Sequence, residues 1–483
     1  MHIRTVLNII AILLLILDGF LLACGALAYY YGEYLSMRGF LFAAIGSGGA
    51  AGIILALTRK KVKQTLSPRD GFMFVTLSWI TASAVGALPF WISGAIPGYA
   101  DAFFETMSGF STTGASILTN IEAMPKSLLF WRSLTHWLGG MGIVVLAVAI
   151  LPLLGIGGMQ LMRAEAPGPS VDKITPRIAV TAKYLWLIYI GFTVIETVLL
   201  MFGGMDLYES LTHAFGTVAT GGFSTKNLSI KHFDSAYIDW VVTLFMVLAG
   251  INFTLHFRLL MGNLGELRKN TELKAYLAIF IAASIAISIG LYGKVYEDYS
   301  ESLRYAAFQA ASFVTTTGYA TDNYENWPIF AQMILFMLMF VGGCAGSTGG
   351  GIKVIRIVTL LKQGLNEMKF LIHPRGVFIL RLSGYPVRKN IVYAISGFFY
   401  LYIFLLLVVM LIVSTSGADL TTSITTALAT VGNIGPGFGL VGPVDNYAFY
   451  PDYVKWVLSF AMLVGRLELY TVLVLFTPMF WRK

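Results

Sequence analysis

The sequence predicts an all-α polytopic membrane protein: four pseudo-repeats of helix, pore loop and helix around a central ion pore, plus an N-terminal helix pair. Three observations carry that prediction. The 483-residue chain is 57% hydrophobic and only 12% charged, with a mean hydropathy of +0.75, so it lacks the polar residues to coat soluble domains of that total length. Apolar runs of about 20 residues recur along it, the length that crosses a ~30 Å hydrocarbon layer. Four glycine-centred stretches, at Ser111–Ser116, Ala219–Ser224, Thr315–Ala320 and Ala429–Ile434, each follow a helix too short to span a bilayer and lie between two segments long enough to do so.

The elements follow in order. A first apolar run, Val6–Tyr31, exceeds a signal-peptide core and lacks a small-residue cleavage site, so it is expected to be retained. With Arg38–Leu57 it makes the N-terminal transmembrane pair of residues 1–70, closed by the basic Arg59–Lys63 cluster. Repeat one (71–155) places spans Phe72–Ile96 and Leu128–Pro152 around the short helix Asp101–Phe110. Repeat two (180–262) has Thr181–Phe202, short helix Asp206–Val218 and Ala236–Leu260. Repeat three (272–362) has Leu273–Tyr292, short helix Glu301–Phe313 and a broken segment, Pro328–Leu361. Repeat four (385–483) has Ile391–Thr415, short helix Asp419–Leu428 and Tyr453–Phe480. Ten full spans and four re-entrant helices result. Irregular backbone at membrane depth persists only when buried in protein or lining water, so the loops belong inside the bundle. Internal repeats of this kind are a common construction for transport proteins.

Charge orients the chain. One set of loops, including Arg59–Lys63, Arg163–Lys183, Arg258–Lys274, Lys353–Lys389 and Arg482–Lys483, carries about 24 Lys/Arg against about 6 Asp/Glu, the cytoplasmic signature. The opposite side carries about 8 basic against about 16 acidic residues, among them Asp101, Glu105, Asp206, Glu209, Glu297, Asp298, Glu301 and Asp419. All four glycine loops return to the acidic side, which is expected to face out. A carboxylate cluster there would enrich cations at the mouth; the alternative is that these acids cap helix N-termini. The short helices run inward, so their partly negative C-termini converge and favour a cation beneath the loops.

A strand that lines an ion path must aim successive carbonyls to one side, which requires positive φ values that glycine adopts at little cost. Carbonyl rings of that kind replace an ion's water shell. Threonine before the glycine adds a hydroxyl acceptor. A lone Thr-Thr-Gly is an ordinary turn, but four related glycine-centred loops at matching places in four repeats are not.

On these four loops, and on Asn433-Ile434-Gly435-Pro436-Gly437 after the fourth, the chain resembles the TrkH-type potassium transporters of the Trk/Ktr/HKT superfamily over nearly its whole length. The resemblance implies a K⁺ filter, with K⁺ bound as the metal, lined by Thr112, Thr113 and Gly114; Ala219, Thr220 and Gly221; Thr316, Thr317 and Gly318; and Thr430, Val431, Gly432 and Asn433. Serine at the first filter glycine, which accompanies Na⁺ transport in related plant proteins, is absent. It also implies gated, channel-like K⁺ uptake in the bacterial inner membrane, with a H⁺- or Na⁺-coupled symporter as the alternative. It further implies a homodimer, and control by TrkA-type cytoplasmic subunits that bind NAD(H) or ATP/ADP, the chain itself holding no nucleotide cofactor. The basic loops Arg258–Lys274 and Lys362–Lys389 offer docking surface, although the positive-inside bias explains them equally.

Two features mark a gate. Gly342–Gly351 interrupts the second span of repeat three, where each glycine costs about 1 kcal/mol relative to alanine in a helix, so the stretch is expected to unwind. It is not a phosphate-binding loop, because Lys353 is misplaced and no soluble strand precedes it. Close helix packing through small residues is the competing explanation. Similarity to the family makes Gly346, Ser347, Thr348, Gly349, Gly350, Gly351 and Lys353 an intramembrane loop that obstructs permeation. Arg466 lies deep in the last span, where a charge is costly unless paired or hydrated. It either bridges to an acid of another helix or faces the path as a positive barrier, and the resemblance favours the barrier. Cys24 and Cys344 point to neither disulfide nor metal site, and His136, His213 and His256 show no metal-ligand spacing. Without a nucleophile–base constellation or a metal motif, an intramembrane enzyme has little support, and no nucleic-acid partner is expected.

Overall fold

The computed structural model describes residues 2–58, 67–142 and 178–482. The Arg59–Lys63 cluster, the second half of the Leu128–Pro152 span and most of Arg163–Lys183 lie outside the described residues. The fold is all-α, apart from a two-stranded hairpin pairing β1 (Arg381–Leu382) with β2 (Tyr385–Pro386). Six described helices are long and apolar enough to cross a membrane, or up to eight if each of two bent pairs counts as one span.

Helices α1 (Ile3–Tyr30) and α2 (Tyr34–Thr58) pack as an antiparallel pair. Repeat one follows with α3 (Pro68–Ile92), the short α4 (Tyr99–Phe110) and α5 (Lys126–Gly140). Pro68 occupies the first turn of α3, and Ser67 and Asp70 form a reciprocal capping box that fixes its start. Repeat two has α6 (Ile178–Phe202), short α7 (Leu207–Val218), α8 (Ala236–Ala249) and α9 (Phe253–Leu260). A six-residue α10 (Leu264–Lys269) leads to repeat three: α11 (Thr271–Leu291), short α12 (Tyr299–Val314), α13 (Ile329–Leu338) and α14 (Val354–Ile372). Repeat four has α15 (Lys389–Ser414), short α16 (Leu420–Gly432), α17 (Asp452–Arg466) and α18 (Tyr470–Leu473), before α19 (Pro478–Trp481) closes the chain.

The four short helices are the buried centre. From Ala102 to Phe110 every residue of α4 is buried, as is every residue of α16 from Thr425 to its end. The long helices keep exposed Leu, Ile, Val and Phe side chains on their outer faces, the arrangement expected of a lipid-facing surface.

One expectation fails. The second spans of repeats two and four, read as continuous over Ala236–Leu260 and Tyr453–Phe480, are broken. The α8–α9 pair bends by 96° and the segment from α17 into Tyr470–Phe476 by 112°. At the first corner Gly250 ends one helix and Asn252 caps the next, its Oδ1 accepting the Thr254 N–H at 2.8 Å. At the second, Glu468 and Leu469 take φ values of +57° and +46°, a left-handed pair that no α-helix accommodates. A hydropathy pattern is blind to such corners, because both arms stay apolar.

Candidate functional site: a four-loop ring and the loop beneath it

All four short helices end the same way. Thr112, Thr220, Thr316 and Asn433 have φ of +52°, +54°, +61° and +55°. The next residue's N–H returns to a carbonyl of the last turn: Thr113 to Ser108 at 2.9 Å, Gly221 to Gly216 at 2.8 Å, Thr317 to Ser312 at 2.8 Å, Ile434 to Ala429 at 2.9 Å. This is a Schellman termination, but with threonine or asparagine where glycine is usual. A left-handed residue that carries a β-carbon costs about 1–2 kcal/mol, and asparagine tolerates the conformation best of the non-glycine residues.

Two residues further on stand Gly114, Gly222, Gly318 and Gly435, with φ of +84°, +80°, +86° and +92°. A Cβ on Gly114 would strike the Gly221 carbonyl oxygen; on Gly222, that of Thr317; on Gly318, that of Ile434; on Gly435, that of Thr113. Each loop therefore presses its glycine against the equivalent carbonyl of the next, and the series closes on itself. Thr113, Gly221, Thr317 and Ile434 supply one ring of four carbonyls, and the glycines are what lets the loops approach that closely.

That geometry corrects the register of two loops. Gly221 precedes the positive-φ glycine of loop two, which is Gly222. In loop four Thr430, Val431 and Gly432 form the last turn of α16, and the matching glycine is Gly435. Gly432 corresponds to Ser111, Ala219 and Thr315. The nearest glycine in the string misled because backbone conformation, not spacing from the helix, defines the position. Thr112, Thr113, Gly114, Thr220, Gly221, Thr316, Thr317, Gly318 and Asn433 fall at the ring, while Ala219 sits just before it at the end of α7.

The side chains behind the ring break its fourfold likeness. In loops one and three Thr113 shares a hydrogen bond with Ser111, and Thr317 with Thr315, each at 2.7 Å. Loop two has glycine at the matching position 221. There the imidazole of His136, stacked on Phe223 at 3.9 Å, fills the space a side chain would need. In loop four Asn433 reaches across, its Nδ2 donating to Thr113 Oγ1 and Met462 O at 2.9 Å each. Behind loops one and two Arg132 and Glu105 make a buried ion pair at 2.6 Å. Glu105 accepts from Ser116 Oγ and Ile117 N, and Arg132 donates to Ser224 O. Neither His136 nor this pair was legible as functional, because each acts through a partner about 27 or more residues away in sequence.

A cavity of about 120 Å³ lies on one side of the ring, lined by all four positive-φ glycines. None of the eight acids named from sequence lines it; Asp445, Arg132 and Lys226 do. Asp206, Asp298 and Asp419 cap the N-termini of α7, α12 and α16. Asp101 pairs with Lys455, Glu209 with Lys226 and Glu105 with Arg132. The capping explanation and local pairing account for these six acids, and none of the eight contributes a carboxylate to this cavity.

On the other side a cavity of about 650 Å³ is lined by Gly346–Gly351, Lys353, Arg466 and the corners of the broken helices. The glycine-rich stretch is unwound, as expected, and it is anchored against the ends of the short helices. Gly351 N donates to Gly432 O at 2.9 Å and Thr348 Oγ1 to Val218 O at 3.1 Å. Gly350 N donates to Thr316 Oγ1 at 2.7 Å. Cys344 N and Phe253 N tie it to the corner of repeat two through Gly250 O and Gly346 O. Lys353, with φ of +74°, turns its ammonium back onto Gly349 O at 2.5 Å.

Arg466 ends α17 at the corner. Its guanidinium donates to Thr348 O at 2.6 Å, Gly139 O at 2.6 Å, Gly140 O at 2.9 Å and Thr112 Oγ1 at 3.0 Å. It thus joins the ring, the end of α5 and the glycine-rich stretch in one cluster, where helix-end carbonyls attract a cation. Glu468, two residues on, pairs with Arg356 instead.

Comparison with known proteins gives one consistent answer. A family model described as TrkH, cation transport protein, matches residues 42–483. The chain is 42% identical to a Trk system potassium uptake protein TrkH of Salmonella typhimurium, and equally to that of Escherichia coli strain K12, all of each chain being covered. Among solved structures, the crystal structure of the potassium transporter TrkH from Vibrio parahaemolyticus matches with a TM-score of 0.89 at 37% identity, over the whole of both chains.

Proposed function

Because the chain belongs to the TrkH family of cation transport proteins, we propose that it carries out potassium uptake across the cell membrane through a gated, channel-like pore. The observation that carries this reading is the closed ring of four equivalent carbonyls, from Thr113, Gly221, Thr317 and Ile434, between two cavities. Main-chain oxygens held by neighbouring loops can replace the water shell of a K⁺ ion without a charged ligand. The partly negative ends of four helices beneath add favourable potential. The relatives' names, Trk system potassium uptake proteins, support K⁺ as the substrate.

In this reading the ring is the filter and the Gly346–Gly351 stretch with Arg466 is the closed gate. A unit positive charge under the ring opposes a second cation by several kcal/mol at low effective dielectric, and the stretch itself blocks the cavity floor. Opening requires both to move. The basic excess on the cavity side supports a cytoplasmic location for the gate and an outward-facing filter mouth, in a bacterial inner membrane. A TrkA-type cytoplasmic subunit that binds NAD(H) or ATP/ADP would act on the exposed basic α14 and hairpin, on a homodimer of pore chains.

Rb⁺ uptake into proteoliposomes carrying the purified chain tests the reading. Flux driven by the Rb⁺ gradient alone, without a proton or sodium gradient, is expected, and Gly318→Ser, whose Cβ would meet the Ile434 carbonyl oxygen, is expected to lower it. Flux that requires a second ion gradient would replace the channel reading with coupled symport.

A further inference from the structure

Glu272, in the first turn of α11, is buried and takes no part in the contacts of the ring or of Arg466 described above. A single oxygen of its carboxylate accepts two backbone N–H groups, from Ala345 at 2.7 Å and from Ile355 at 3.2 Å. Those two residues bracket the obstructing stretch: Ala345 enters it, and Ile355 lies in the first turn of α14 that leaves it. One carboxylate oxygen therefore ties the neck of the loop. An acceptor carrying charge makes these bonds stronger than neutral ones.

The residue before Glu272 links it to the surface. Thr271 N donates to Ser383 Oγ at 3.0 Å and Ser383 N donates back to Thr271 Oγ1 at 2.8 Å, a reciprocal clasp. Ser383, with φ of +51°, is in the turn of the β1–β2 hairpin. The hairpin is held in turn by α14, whose Lys362 Nζ donates to Arg381 O at 3.1 Å.

We propose that Glu272 is the positioning residue that tethers the intramembrane loop in its obstructing place, and that the Thr271–Ser383 clasp lets the hairpin control that tether. This rests on the loop being the obstruction. A displaced hairpin pulls on Thr271, turns the start of α11 and takes the shared acceptor away from both ends of the loop at once.

The test compares Rb⁺ efflux from proteoliposomes for Glu272→Ala, Glu272→Gln, Ser383→Ala and a deletion of Gly346–Gly351. Glu272→Ala is expected to raise flux about fivefold, as loss of two charged-acceptor bonds allows. Glu272→Gln keeps the acceptor oxygen and is expected to stay within about twofold of the parent. Ser383→Ala is expected to give an intermediate rise. Damage to the fold lowers flux, so a rise with rescue by glutamine marks positioning. The tether is overturned if the deletion raises flux and a well-assembled Glu272→Ala leaves it unchanged. If the deletion itself leaves flux unchanged, the obstruction reading falls and the tether with it. Should Glu272→Ala fail to assemble, Thr271→Val combined with Ser383→Ala cuts the clasp from outside; unchanged flux there overturns the proposal.

Discussion

The ring of loops and the segments beneath it are built on opposite plans. Above, four loops repeat one backbone conformation, with φ from +52° to +61° at Thr112, Thr220, Thr316 and Asn433 and from +80° to +92° at the glycines two residues on. Below, the second helices of the repeats diverge. The α8–α9 pair turns at Gly250, repeat three inserts its glycine-rich stretch, and repeat four turns at Arg466–Leu469. On the proposed function an ion on the axis is coordinated by equivalent groups, so likeness would serve the ring. On the same proposal, control needs one element that moves relative to the others, which the unlike lower half would supply. Thr112 and Thr316 join the two plans: they hold strained left-handed positions, and their hydroxyls accept from Arg466 and from Gly350 N. Glycine would relieve the strain and lose the contact.

The comparison can be broken at the ring first. Gly318→Ala puts a methyl group onto the Ile434 carbonyl oxygen in a left-handed conformation. Rb⁺ uptake is expected to fall by more than about tenfold, with protein still in the membrane, since a barrier increase of about 1.4 kcal/mol suffices. Uptake near the parent level would mean that close approach of the loops is unimportant. Second, Arg466→Ala removes the charge under the ring and its four hydrogen bonds, and flux is expected to rise about tenfold. Unchanged or lower flux at normal expression would show that Arg466 is a structural clamp only.

A smaller effect sharpens the link between halves. Thr112→Gly is expected to raise thermal stability slightly, by relieving about 1 kcal/mol of backbone strain, and to raise flux two- to threefold by freeing Arg466, about the worth of one modest hydrogen bond. A stability scan beside a flux assay separates the two, and a drop in both would refute the strain argument. Smallest of all, Asp206→Asn is expected to leave uptake within about twofold, because asparagine caps a helix as well as aspartate does. A large loss in a Rb⁺ uptake series would restore the carboxylate cluster that the geometry argues against.

Much of this was legible from the string of residues. Short amphipathic helices followed by Thr-Gly at matching intervals located three of the four loops to within a residue, and the glycine content of Gly342–Gly351 announced an unwound segment. Loop four was misread by three residues, because Gly432 still belongs to the helix and Asn433, not threonine, takes the left-handed turn. The broken α17 was invisible, since Leu467, Glu468 and Leu469 carry no glycine or proline at the corner.

The sequence by itself determined the apolar spans, their repetition and the basic side, because hydropathy and charge act locally and need no partner. Only the tertiary structure decided which glycine meets which carbonyl, that His136 fills the space over Gly221, and that Arg466 lies against Thr112 more than 350 residues away. Those contacts exist only when four separate loops converge on one axis. No property of one segment records the distance to another.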